Sequence, residues 1–465
     1  MVPNFGPLLS VARRTPREPW TVAASTSIRF QICHPVLPIT GTAITSSQCG
    51  RNNIMDIIHD RAVGIDISKR DAKVCVRLPS ARKGQFSSTV STWGSTADAI
   101  LDLRNFLERQ NVTTVAMEAT GDYWKPFYYV LENSLPVLLV NAKNARNIPG
   151  RKTDVSDAAW LAQLAAHGLL RPSFVPPPPI RELRDLTRAR AITVRDRTRE
   201  IQRLEKFLES SGIKLSAVVS SLTGASSRQI LEDLIAGQRD PQILAAHAKG
   251  KLRQRIPELT AALNGSFGDH HALMTRLYLE QIDAYSHRVK TLTDAIERLM
   301  QPFRHTREAL CTIPGVSALV ADVVIAETGA DMSVFSTAGQ LASWAGVCPG
   351  SNESAGRVKS SHIRPGNKYL KAALGIAALA VSRTKGTYLA AKYRRISSRR
   401  GPMKALVAVE HSILTAAWNM LANGECYTDP GPDHFMRLDP DRAKNRALRQ
   451  LKQLGYEVTV TQLPA

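Results

Sequence analysis

The sequence predicts a mixed α/β sheet domain over residues 55–175, followed by a long helical stretch and a mainly α C-terminal region. Two patterns carry this. Between residues 61 and 142, short apolar runs come first as three neighbours joined by turns and then alternate with helical segments. Beyond the tetraproline Pro176–Pro179, apolar residues recur with helical periods instead. The tetraproline itself reads as a stiff boundary.

Taken in order, Val63–Ile67, Lys73–Leu78 and Phe86–Val90 are expected strands. A helix over Ala97–Gln110 leads to a strand at 112–119. A helix near Asp122–Asn133 leads to a strand at Pro136–Asn141. Three consecutive strands with an acid on the first are the ribonuclease H-like layout. Over 180–305, apolar residues at 278, 282, 285, 289, 292, 296 and 299 alternate steps of four and three, a coiled-coil seam of three heptads. Val194, Ile201, Leu204 and Leu208 share the period upstream. The seam serves either a structural hairpin within the chain or a dimerisation device. The upstream helix is also dense in arginine (181, 184, 188, 190, 195, 197, 199, 203), which suggests nucleic-acid contact as a second role.

In the region 306–424, Cys311-Thr-Ile-Pro-Gly-Val-Ser317 has the form of a helix-hairpin-helix turn, whose backbone N–H groups can hold a phosphate. A helix is expected between Phe335 and Gly346, and an alanine-rich one from Gly366 to about Val381. From Arg383 to Lys404 come eight basic residues and no acid, with Tyr388 and Tyr393 among them. These include Lys392, Arg394, Arg395, Arg399, Arg400 and Lys404. A solvated helix would normally carry acids over such a span, so this reads as a nucleic-acid face. The tail 425–465 is polar and carries no assignment.

Charge agrees with that reading. The chain has 465 residues and 61 Lys plus Arg against 40 Asp plus Glu, a formal charge of +21. Such a surplus calls for a polyanionic partner, nucleic acid before membrane. No apolar stretch reads as a membrane span. Six scattered cysteines without ligand or disulfide spacing fit a reduced cytoplasmic setting. Residues 1–54 hold five Arg, no Lys and one acid, Glu18. They read as disordered or as a translated upstream stretch with a start at Met55, in preference to a transit peptide.

Four acids stand out. Asp66 interrupts an apolar strand, Glu118 ends another, and Asp154 and Asp157 lie three residues apart at the start of a third element. Singly each has a plain explanation: Asp154 as a helix N-cap, Asp157 as a dipole complement, Glu118 as a strand-end surface residue. On a helix, 154 and 157 would share a face. Carboxylates gathered at one sheet edge hold Mg²⁺, and two Mg²⁺ ions so held break phosphodiester bonds. Downstream, Ser354 is flanked by Ala355 and Gly356, with Arg357 and Lys359 close by. Small neighbours let a phosphate approach and the cations would stabilise its charge. By residue type alone, however, Ser354 reads as an ordinary loop serine.

Gly64-Ile-Asp-Ile-Ser-Lys69, Met117-Glu-Ala-Thr-Gly121, Lys152-Thr-Asp-Val-Ser-Asp157, Asn352-Glu-Ser-Ala-Gly356 and Arg394-Arg-Ile-Ser-Ser-Arg-Arg-Gly-Pro402 together resemble the DEDD transposases of the "one-ten" bacterial insertion sequences. The resemblance spans about residues 60–424, in order. It implies a RuvC-like ribonuclease H fold, a coiled-coil middle and a C-terminal transposase domain. It further implies that Asp66, Glu118, Asp154 and Asp157 bind Mg²⁺ and that Ser354 attacks DNA. A structured guide RNA and dimers assembling to tetramers on the bacterial nucleoid are also implied. Two other readings fit the same residues: a junction-resolvase-like nuclease using metal-activated water, and a nucleic-acid-binding protein without catalysis.

Overall fold

The computed structural model describes residues 57–82, 84–119, 121–141, 156–350 and 352–461. The expected extension 1–54 and residue Asp154 lie outside them. Five strands, β1 (Ala62–Ile67), β2 (Asp71–Pro79), β3 (Phe86–Gly94), β4 (Thr114–Glu118) and β5 (Val137–Val140), form one sheet in the order β3-β2-β1-β4-β5. The first three pair antiparallel, whereas β4 and β5 run parallel to β1. This mixed sheet is consistent with a ribonuclease H-like fold. Helices α1 (Ala97–Arg109) and α2 (Trp124–Leu131) make the crossovers.

The two faces of the sheet follow from strand alternation. Val63, Ile65 and Ile67 of β1, with Val115 and Met117 of β4, face Leu103, Leu107 and Phe127 of α1 and α2. Ala62 and Ala116 face the other way, onto Trp160, Leu161 and Leu164 of α3 (Asp157–Ala166). Between them lies Gly64, where a Cβ would stand 2.1 Å from the Ala158 carbonyl oxygen and 2.4 Å from the Ala162 nitrogen. Only glycine lets α3 lie this close to the central strand. Gly64→Val should therefore cost about 3 kcal/mol, the upper range for overpacking, measured as a lowered urea midpoint.

The chain leaves the sheet through the tetraproline. Its second half does not merely bound a helix but opens one, α4 (Pro178–Ser210), with proline at the first turn, where no backbone N–H is needed. α4 is 33 residues, about 50 Å at 1.5 Å per residue. It runs antiparallel to α9 (Asp269–Leu299), as Ile180 and Leu183 share a core with Ile296 and Met300, while Leu204 and Leu208 share another with Leu279 and Ile282. Short helices α5 (Leu215–Val218), α6 (Ala225–Ile235), α7 (Pro241–Ala245) and α8 (Ile256–Ala262) close the distal core. At the waist, Val194, Tyr285, Val289 and Leu292 are only half-buried. The periodic residues thus pair the two helices within the chain.

Near the proximal core four of the α4 arginines, Arg181, Arg184, Arg188 and Arg190, are engaged within the fold. Arg181 bonds Glu132 at 2.6 Å, and Arg190 donates to Thr293 at 2.8 Å. Arg188 grips Glu327 with two 2.7 Å bonds, and Arg184 donates to the Ala326 and Glu327 carbonyls. Glu327 is fully buried, so its charge requires this company. Burial lowers the Arg184 pKa to about 10, with the Glu327 carboxylate opposing the shift. Glu327→Ala would leave the two arginines without that carboxylate and should cost about 3–5 kcal/mol, read by thermal or denaturant unfolding.

The C-terminal core gathers α10 (Arg304–Leu310), α11 (Ala318–Thr328), α12 (Ala338–Ala345), α13 (Lys368–Arg383), α14 (Tyr388–Arg400) and α15 (Pro402–Asn423). The helix-hairpin-helix turn exists between α10 and α11. Its Gly315, at φ +86°, packs against α13, where a Cβ would meet the Ala377 carbonyl at 2.5 Å. That close approach requires a glycine at this position. The run 383–404 is not one helix: it spans the end of α13, all of α14 and the start of α15, broken at Gly386 and Gly401, both with positive φ. α15 has the length and apolarity of a membrane span, which the sequence reading did not expect. Its Val409, Ile413, Leu414 and Ala417 pack into the core. Two small helices, α16 (His434–Leu438) and α17 (Pro440–Gln453), end the described chain.

Candidate active site

Two of the predicted carboxylates come together at the sheet edge. β1 and β4 are in parallel register with Ile65 opposite Met117, so Asp66 and Glu118 follow side by side at the strand ends. Both share the parity of Ala62, Gly64 and Ala116, which puts them on the α3 face. Glu118 is buried and Asp66 half-buried.

α3 brings a third acid to the same end. Ala158 lies over Gly64, while Ala166 accepts from the Ile58 nitrogen before β1 begins, so the helix runs against β1 and starts at the strand's C-terminal end. Asp157 is its first residue. The cap is Ser156, whose hydroxyl accepts the Ala159 N–H, so this end of the helix does not need Asp154 for capping. The helical face expected to carry both 154 and 157 is described only at Asp157, since Asp154 lies outside the described residues. Asp66, Glu118 and Asp157 each have an interaction partner.

Among the described residues, no three His, Cys, Asp or Glu side chains gather closely enough to hold a metal ion. The donor chemistry at the edge nevertheless fits one class of ion. Adjacent carboxylates offer hard oxygen donors, which suit Mg²⁺ and its relatives, and provide none of the soft ligands that select zinc. The helix dipole of α3 opposes a cation there, so the carboxylates have to outweigh it.

Ser354 has its own support. β6 (Asn352–Ser354) and β7 (Arg357–Ser360) form a hairpin with Ser354 opposite Arg357. The two-residue loop is Ala355 at φ +51° and Gly356 at φ +74°, positive at both positions as in a type I′ turn. A non-glycine residue in that region is strained, and such strain concentrates at functional sites. Ser354, Arg357 and Lys359 are exposed. The hairpin pairs with itself and packs on no other element to a comparable extent.

The hairpin stands on a glycine stem. Gly350 donates to the His362 carbonyl at 2.9 Å, and Pro349 bridges Ile363. Below, a Cβ on Gly366 would lie 2.4 Å from the Gly346 nitrogen. Asn367 then caps α13 and donates to the buried Glu327 at 2.6 Å. The stem base is thereby tied to α4 through Glu327 and Arg188. Nothing in the sequence linked these positions, which lie 40 and 139 residues apart.

The basic face is uneven. Arg394, Arg399 and Arg400 are exposed on α14, Arg395 is half-buried, and Lys404 is exposed at the start of α15. Lys392 turns inward instead: its Nζ donates to Ser412 on α15 at 2.5 Å, and burial lowers its pKa.

Two family models match the chain. A transposase model of DEDD type covers residues 63–212, and one described as "Transposase IS116/IS110/IS902 family" covers 307–394. The chain is 27% identical over 296 residues to "Insertion element IS900 uncharacterized 42 kDa protein" of Mycobacterium paratuberculosis, spanning 59% of this chain and 73% of that protein. It is 26% identical over 144 residues to "Putative transposase y4pF/y4sB" of Sinorhizobium fredii (strain NBRC 101917 / NGR234), spanning 30% and 37%.

Proposed function

The chain belongs to the IS116/IS110/IS902 transposases, and we propose that this DNA transposase cuts, exchanges and rejoins strands through a serine-linked intermediate. The observation that supports this most is the pair Asp66 and Glu118, set in register at the edge of a ribonuclease H-like sheet with Asp157 at the same end. Asp66, Glu118, Asp157 and Asp154 would hold the metal, with two Mg²⁺ ions as the expected complement. When bound, the metal supplies positive charge that polarises the scissile phosphate and stabilises charge developing on it.

The chain's own residues do the rest. Ser354, at the tip of its hairpin, attacks phosphorus: a serine oxygen–phosphorus bond forms, one sugar oxygen–phosphorus bond breaks, the serine hydroxyl gives up its proton and the departing sugar oxygen takes one. Arg357, across the strand pair, and Lys359 hold the phosphate oxygens. Because the ester energy stays in the serine link, religation to a new strand needs no nucleotide. Arg394, Arg395, Arg399, Arg400 and Lys404 bind the nucleic-acid backbone, with Lys392 supporting α14 from beneath. A structured RNA pairing with donor and target would supply sequence choice. The half-buried waist of α4 and α9 offers a coiled-coil surface for dimers that assemble to tetramers. The protein would act in the cytoplasm, on the nucleoid.

The test uses a DNA substrate whose cut end diffuses away. With Mg²⁺ and guide RNA, a protein–DNA adduct should accumulate and survive denaturing electrophoresis. Strand cleavage at full rate with no adduct favours hydrolysis by activated water instead.

A further inference from the structure

α14 and α17 face each other across a groove of about 850 Å³. One wall carries Arg394, Arg395 and Arg399, the last two four residues apart on one helical face. The other carries Arg442 and Arg446, four residues apart on α17. α17 buries none of its residues, so apolar packing does not explain its position. The tail is instead held at its root. Asp429 accepts the backbone N–H of Tyr388 at 2.9 Å and that of Gly431 at 2.7 Å. Phe435 stacks on Tyr388 with ring centroids 5.4 Å apart, and the Arg395 guanidinium lies 4.5 Å from the Phe435 centroid.

Five guanidinium groups thus converge on one groove. Among the described residues none of the five forms an ion pair with a carboxylate. Two acids also line it. Asp439 is committed to capping α17, accepting the Arg442 backbone N–H at 3.0 Å, and Asp433 is the other. Several arginines elsewhere are paired with carboxylates: Arg188 with Glu327, Arg228 with Asp283, Arg307 with Asp322. Like charges facing each other repel unless an anion lies between them. A row of phosphates matches two rows of guanidinium groups in charge and in bidentate geometry.

We infer that the α14–α17 groove is a nucleic-acid backbone clamp, with the C-terminal tail as its second jaw. It deepens the reading of α14 as a nucleic-acid face and rests on it. The family models stop at residue 394, so the second jaw lies beyond the matched regions. Contacts of this kind read charge and backbone rather than sequence. The backbone gripped belongs to either DNA or RNA, and both carry the same phosphates.

The experiment measures fluorescence anisotropy of the full-length protein on a short DNA duplex, a single-stranded DNA and an RNA hairpin over a range of salt. Arg442→Glu with Arg446→Glu should weaken binding at least about tenfold near 100 mM salt and flatten the salt slope by about two, one per lost phosphate contact. The probe that loses most identifies the strand held. Arg449→Glu with Lys452→Glu, an equal charge change outside the groove, should lose clearly less. Equal losses from both pairs would reduce the effect to net charge and overturn the clamp. So would unchanged binding by the Arg442/Arg446 variant. If Arg394→Glu with Arg399→Glu still weakens binding in that case, only the tail's role fails. If neither pair matters, the reading of α14 fails as well.

Discussion

Ser354→Ala should abolish the covalent protein–DNA adduct and lower strand cleavage by on the order of 10⁴-fold or more, as loss of a nucleophile does elsewhere. The geometry argues for a loss this large. The serine is the last residue before a two-residue turn with both φ values positive, and its side chain is exposed where a duplex can reach it. Arg357 sits opposite it in the strand pairing, close enough to meet the same phosphate. A glycine stem fixes where the arm leaves the core, so Ser354 has a defined origin although its hairpin pairs mainly with itself. Binding of guide RNA and DNA should be unaffected, because the substitution removes one oxygen and no charge. Measuring adduct yield, cleavage rate and affinity on one substrate separates the outcomes. Normal cleavage without an adduct would make the protein a hydrolase that uses activated water. Retained adduct would mean another residue is the nucleophile.

How far the chain could be read in advance depends on the range of each interaction. β1, β4 and the acids on them were legible because a strand that is apolar except for one aspartate states its own anomaly over six residues. The four-three spacing from 278 to 299 was legible for the same local reason, and it correctly pointed to Leu204 and Leu208 as neighbours of α9. Gly64 was not legible: one glycine in a strand looks like another until α3 is seen lying on it. The structural task of Arg184 and Arg188 was not legible for a related reason: the buried Glu327 that answers them is more than a hundred residues away. The tail reads as polar and carries no assignment, although Arg442 and Arg446 at helical spacing beside Ala443 and Ala447 are a local sign of a two-sided helix. Proline-rich punctuation also reads ambiguously, since the same tetraproline that stops one element starts α4.

Asp66→Asn should remove metal-dependent cleavage while leaving the fold intact, and its stability should report the metal site directly. Asp66 and Glu118 occupy adjacent positions on neighbouring strands, and Glu118 is buried. Two negative charges so placed repel each other. Without metal, neutralising one of them relieves that repulsion, so the variant should melt at or slightly above the wild-type temperature. With metal the order reverses. Ligand that binds only the folded state raises wild-type stability by about 2.7 kcal/mol at a hundredfold excess over Kd, and the variant should gain almost none of it. A thermal melt titrated with Mg²⁺ therefore gives curves that cross. Cleavage should fall by several orders of magnitude, while affinity for DNA at fixed salt holds steady. Gly64→Ala is the informative companion, since the methyl group would press on Ala158 and displace the helix start that bears Asp157 without altering either strand-end acid. A Mg²⁺-dependent rise in melting temperature of equal size in wild type and Asp66→Asn would place the metal elsewhere than the sheet edge.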